Sequence, residues 1–80
     1  MKKKPTCMAS YVGKRITLFC VNYIYTGDLV AVDDMCVTLD KPAIVYETGP
    51  FTTPAWQDAQ SLPHTINVMI TAVESFGEMK

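Results

Sequence analysis

Paired cysteines, histidine and an excess of basic charge are all scarce in this sequence, and each shortage removes a class of function. The three cysteines, Cys7, Cys20 and Cys36, are odd in number and show no CxxC spacing. A disulfide framework or a structural metal site is therefore not expected. One histidine, His64, stands alone; with no serine or second acidic cluster at a workable spacing, no catalytic constellation is legible, and no enzyme or cofactor is expected. Seven Lys plus Arg against eight Asp plus Glu leave a formal charge of −1. That balance gives no general attraction to nucleic acid or to an anionic surface, so such binding would need a local patch. No apolar run is long enough to cross a bilayer. The basic start Lys2-Lys3-Lys4 is followed by Pro5-Thr6 in place of an apolar leader segment, so a cytoplasmic protein without a membrane partner is expected.

What is present is strand pattern. Eighty residues make one domain, 1–80, small enough that oligomerisation is a common source of added stability. After a basic tail, Thr6 to Val12 fits a short helical turn, with Thr6 as cap and Gly13 as terminator. In Arg15 to Val21, Ile16, Leu18 and Cys20 share one face, assigned to the core, while Thr17, Phe19 and Val21 share the other. Asn22-Tyr23 reads as a tight turn into a second strand, Ile24 to Asp33, in which Gly27 marks a sharp bend or bulge. Asp33-Asp34 makes the next turn, and Met35 to Leu39 a third strand. Asp40-Lys41-Pro42 interrupts it, because proline cannot donate to a ladder; extended structure resumes over Ala43 to Glu47.

Thr48 to Pro63 carries no strand pattern for sixteen residues, which is long for a connection in so small a domain. Within it, Thr53 to Gln60 fits a short helix, with Thr53 as cap and Pro54 in the first position. Thr65 to Phe76 is β-rich, with a break at Thr71-Ala72, and reads as two strands joined with almost no loop.

Five short, bent strands after a stub of helix resemble the Sm-like (LSm) family. Gly13, Ile16-Thr17-Leu18-Phe19-Cys20-Val21-Asn22, Gly27-Asp28-Leu29, Asp33 and Val37-Thr38-Leu39 are similar to its first motif. The spacing from Gly27 through Asp33 to Leu39 is that of the bacterial, Hfq-type branch. The match covers about half the chain, and the second motif departs: Ile70-Thr71-Ala72 stands where the family usually carries a basic residue. An alternative register would bring His64 to that junction. The resemblance implies an all-β, five-stranded, strongly bent antiparallel Sm-like (SH3-like) barrel. It further implies head-to-tail homo-oligomers, rings of six or seven, joined strand to strand through exposed edges. The function it implies is single-stranded RNA binding without catalysis. A competing expectation, favoured by the acidic balance and the missing basic motif, is an oligomerisation or protein-interaction scaffold that binds no RNA.

The candidate binding residues follow from that resemblance. Phe19 matches the aromatic that stacks on a base, an interaction worth about 1–3 kcal/mol; the alternative is that it packs under the long loop against Trp56. Asp34, Met35 and Thr71 fall where the family lines the ring's pore, although two adjacent acids there would repel phosphate. Lys14 and Arg15 are placed to hold phosphates or simply to solvate an edge. Read without the family, Asp33-Asp34 is an ordinary turn, and Tyr23, Tyr25, Met8 and Met69 are packing residues.

Overall fold

The computed structural model of the protein describes residues 8–80; the basic tail Lys2 to Lys4, the expected cap Thr6 and Cys7 lie outside the described residues. A 3-10 turn over Met8–Tyr11 is followed by six strands: β1 (Arg15–Cys20), β2 (Ile24–Val32), β3 (Cys36–Glu47), β4 (Asp58–Ser61), β5 (Ile66–Met69) and β6 (Val73–Gly77). A second 3-10 turn, Ile70–Ala72, joins β5 to β6. The protein is all-β, with one antiparallel sheet in the order β4-β3-β2-β1-β6. β3 faces β2 along one side and shares its other side between β5, paired with Cys36 to Leu39, and β4, paired with Ala43 to Glu47.

Three expectations are corrected. The sheet has six strands instead of five and is not closed into a barrel, since β4 and β6 end it without pairing. The Thr53–Gln60 helix does not form; residues 51–55 turn and Asp58–Ser61 runs as β4. A helix of that length has no stability of its own, whereas the outer side of β3 offers four residues an antiparallel ladder. Nor does Asp40-Lys41-Pro42 interrupt the third strand, because β3 continues through it for twelve residues.

That continuity depends on a bulge. Thr26 pairs with Ala43 and Asp28 with Asp40, so Lys41 and Pro42 together oppose Gly27 alone. Lys41 takes a positive φ of 48°, and the extra residue absorbs proline's missing donor and turns the strand sharply. The ladder also shifts beside Val30 in β2, Tyr46 in β3 and Glu74 in β6. Repeated bulges raise the local twist, which is how so small a sheet curls around a core.

The curl separates two apolar faces. On the inner one, Ile16, Leu18, Leu29, Val37, Leu39 and Val68 are buried with Met8, and Tyr11, Val73 and Phe76 pack against them. Alternation thus places Ile16 and Leu18 inward as expected. The outer face carries the rows Thr17–Thr26–Ala43 and Phe19–Ile24–Val45. Thr17, Thr26, Ala43 and Val45 are all buried there, so this face is a second small core. Its two hydroxyls are satisfied: Thr17 Oγ1 lies 3.4 Å from Thr26 Oγ1, which donates to the Ile16 carbonyl at 3.0 Å.

Candidate functional site

Three strand edges are left without a partner among the described residues: the sides of β4 and of β5 away from β3, and the side of β6 away from β1. β5 and β6 are the two that flank the second 3-10 turn. The direction of their main-chain groups follows from the ladders. The Ile70 N–H donates to the Met35 carbonyl at 2.9 Å. Hydrogen-bonded and open pairs alternate along an antiparallel ladder, so Val68 faces β3 and the N–H and C=O of Asn67 and Met69 point outward. On the other side, the Cys20 N–H donates to the Tyr23 carbonyl and the Val21 N–H to the Ala72 carbonyl, both at 3.0 Å. β1 therefore turns its even-numbered N–H groups to β2 and its odd-numbered ones to β6. Ser75 and Gly77, opposite Phe19 and Thr17, face β1, leaving Phe76 to present its main-chain groups outward, while Glu74 is the extra residue of the β6 bulge.

Along the β5 edge runs an open cleft of about 430 Å³, lined by Cys20, Tyr23, Tyr25, Asn67 and Met69 among others. Val21, Tyr23 and Met69 are each more than half exposed beside it. The Tyr23 and Tyr25 rings lie 6.1 Å apart, tilted. Burial pushes the Cys20 thiol up, and the Glu74 carboxylate adds to it. The Tyr25 phenol is raised by burial first, then by Cys20 and Tyr23.

The residues expected at a pore converge at one end of β3. Asp33 closes the turn: its Oδ1 accepts the Met35 N–H at 2.8 Å and the Cys36 N–H at 2.9 Å. Those two bonds hold its carboxyl below the usual carboxylate range. The hydrogen bond from Ile70 then brings Met35 against the second 3-10 turn, so Asp34, Met35 and Thr71 share one exposed rim.

A pH dependence follows from Asp33. Its lowered folded-state value means its stabilisation is fully present above about pH 4, the ordinary aspartate value, and is lost as pH falls through the folded value. Asp33→Asn keeps the acceptor but cannot titrate. Urea midpoints of the two proteins should differ more at about pH 6 than at about pH 2.5; parallel pH curves would remove Asp33 as the source.

Phe19 lies away from that rim, on the outer face. It is half-buried, 6.4 Å from Phe51, whose ring meets Trp56 edge-on at 6.0 Å. The loop of residues 48–57 thus lies over Phe19, with Phe51 making the contact that the sequence suggested for Trp56. Gly49 opens it at a φ of 66°, with room for a side chain limited by Gln57 at 3.2 Å. Lys80 fastens it: its Nζ donates to the carbonyls of Thr48 at 2.6 Å and Ala55 at 2.9 Å, 4.8 Å from the Trp56 ring centroid and 5.5 Å from that of Phe51. A partly desolvated cation–π contact of this kind is worth about 1–2 kcal/mol. No pattern in the sequence announced the Lys80 contact, because it joins residues 25 and 32 positions apart.

The two cations proposed for phosphate already have partners. Arg15 Nη1 donates to Asp28 Oδ1 at 3.3 Å and to the Lys41 carbonyl at 3.1 Å. Lys14 Nζ lies 3.8 Å from Glu78 and 6.0 Å from the Tyr11 ring centroid. Exposed pairs of this type are weak, so both cations remain available for exchange. Among the described residues, no group of three or more His, Cys, Asp or Glu is placed to hold a metal ion, and no helix is long and apolar enough to cross a membrane. No family profile, curated protein or solved structure matches this chain.

Proposed function

We propose that the chain is the subunit of an Sm-like homo-oligomeric ring, built by pairing the β5 edge of one copy with the β6 edge of the next. The observation that carries this reading is that β5 and β6, the two strands flanking the second 3-10 turn, both leave an edge open. Asn67 and Met69 on β5, and Phe76 on β6, each turn a main-chain donor and acceptor outward with nothing from the described strands to meet them. Unpaired edges bordered by exposed apolar side chains favour strand addition. Because the two edges differ, the contact is head to tail and closes into a ring when its rotation permits. The last two strands, β5 and β6, are joined by the 3-10 turn alone, as expected of two strands with almost no loop between them, which supports the reading.

Single-stranded RNA is the proposed ligand of that ring, without cofactor or covalent chemistry, in the cytoplasm. The convergence of Asp34, Met35 and Thr71 on one rim favours it, since ring assembly would repeat that rim around a central opening. Phe19 on the other face supplies the stacking ring, with Lys14 and Arg15 on the same strand or just before it. A pure scaffold is the second reading, favoured by the covered Phe19 and the internally paired cations.

Native mass spectrometry of the purified protein, with fluorescence anisotropy against labelled oligo-A and oligo-U at two salt concentrations, tests both parts. A closed oligomer that binds either strand with micromolar or tighter affinity, weakening as salt rises, is the expected result. An oligomer with no affinity at low salt would leave the scaffold, and a monomer at every concentration would overturn the ring.

A further inference from the structure

The Lys80 ammonium sits where a built receptor for such a group would hold it. Two carbonyl oxygens, of Thr48 and Ala55, accept its protons, and two aromatic rings, of Trp56 and Phe51, bound it on their π-faces. All four contacts come from a single stretch of ten residues, 48–57. The ladder pair Glu47–Asp58 holds the loop's two ends; the ammonium binds its span across them, joining Thr48 to Ala55, Trp56 and Phe51, and the loop in turn holds Phe51 over Phe19.

We propose that residues 48–57 form a cage for a primary ammonium ion, filled by Lys80, and that its occupancy decides whether the loop lies closed over Phe19. The carbonyls set the class of cation. A quaternary ammonium would satisfy the rings but has no proton to give the two oxygens, whereas a primary one satisfies both at once. Without the ammonium, the carbonyls of Thr48 and Ala55 each lose a donor. The loop's ends stay pinned by the Glu47–Asp58 pair of the β3–β4 ladder, but between them it keeps few main-chain ties among the described residues: Gln57 N–H to the Thr48 carbonyl at 3.4 Å and Thr53 N–H to the Pro50 carbonyl at 3.1 Å. Both of those lie within the loop and would move with it. Closure is thus set by the ammonium and by the contact of Phe51 on Phe19. The consequence for Phe19 rests on the RNA reading given above; the cage itself does not.

Trp56 is the only tryptophan of the chain, so its fluorescence reports on the cage alone. Lys80→Ala should raise acrylamide quenching of Trp56 by roughly twofold as the loop loosens, with the far-ultraviolet dichroism of the sheet unchanged. Propylammonium, which replaces the atoms that substitution deletes, should restore the wild-type quenching at millimolar concentrations; tetramethylammonium at equal ionic strength should not. Lys80→Met keeps the apolar stem without the charge and should behave as Lys80→Ala. Unchanged quenching in Lys80→Ala, a closed loop in Lys80→Met, or equal rescue by both cations would each overturn the cage. Anisotropy with labelled oligo-A separates the second level: an opened loop should tighten binding by roughly tenfold, a gain removed by adding Phe19→Ala. A loop that opens with no such gain overturns Phe19 as the stacking residue while the cage stands.

Discussion

Met69→Pro is expected to leave the chain folded and, where the proposed ring forms, to disperse it into monomers of about 8.9 kDa. The backbone is already suited to the substitution, because Met69 has φ −63° and ψ 131°, the value that a pyrrolidine ring imposes. Val68 before it is in a strand, the conformation that proline requires of its predecessor. The N–H that would be deleted points away from β3, so no ladder bond among the described residues is lost, and the methionine side chain is half exposed. Between copies the outcome differs. The outward N–H of Met69 is one of only a few donors on this short edge, and its loss leaves a carbonyl of the neighbour unpaired at a cost of about 1–3 kcal/mol per contact. A closed ring repeats that loss at every interface.

Val68→Pro provides the contrast. Its N–H is directed at β3, opposite Val37, and its side chain is in the inner core. That variant should fail to fold, one position away from a substitution that the fold tolerates. Sedimentation velocity or native mass spectrometry, with circular dichroism of both variants, makes the comparison. If Met69→Pro retains the wild-type mass, the β5 edge is not the interface.

The second large effect is expected at Gly27. A Cβ built there would meet the Leu39 Cβ at 3.0 Å, the Asp40 carbonyl oxygen at 3.1 Å and the Pro42 Cα at 3.2 Å. Two of these three are main-chain atoms of the β3 bulge, which cannot swing aside as a side chain does. Gly27→Ala should lower stability by about 1–3 kcal/mol, the usual cost of overpacking. Gly27→Val adds two more carbons to the same contact and should leave most of the chain unfolded, given the 5–15 kcal/mol typical of small domains. Urea denaturation followed by circular dichroism measures both. A Gly27→Ala protein as stable as the wild type would mean that the β3 bend yields easily, and that the close approach is incidental to the curl of the sheet.

Both effects trace to features that differ in how far the sequence announces them. Alternation over Ile16 to Cys20 identified a strand and put Ile16 and Leu18 on the inner side, because a two-residue period is a local property of the chain. Gly27 was legible as a bend for the same reason: a residue without a Cβ within a strand pattern signals a close approach. The break at Thr71-Ala72 became the 3-10 turn between β5 and β6. Of the candidate site, the exposure of Asp34, Met35 and Thr71 could be read from turn chemistry, but their meeting on one rim could not.

The errors share a cause. Asp40-Lys41-Pro42 looked like an interruption because proline lacks a donor, yet that donor is dispensable where two residues oppose one, and whether they do depends on β2. Residues 53–60 looked helical because they begin with a cap and a proline, but a short segment takes the structure its neighbour offers, and from Asp58 on that neighbour is the open side of the β3 strand. Phe19 could be read either as a stacking ring or as a covered one; only the arrival of Phe51, thirty-two positions on, decides that it is covered, and only Lys80 determines how firmly. From its own residues, then, this protein's all-β character, the bend at Gly27 and the inward faces of Ile16 and Leu18 were legible. The tertiary structure alone decided which edges lack partners and what lies over Phe19, because ladder pairing and loop docking depend on residues distant in the chain and no local period encodes them.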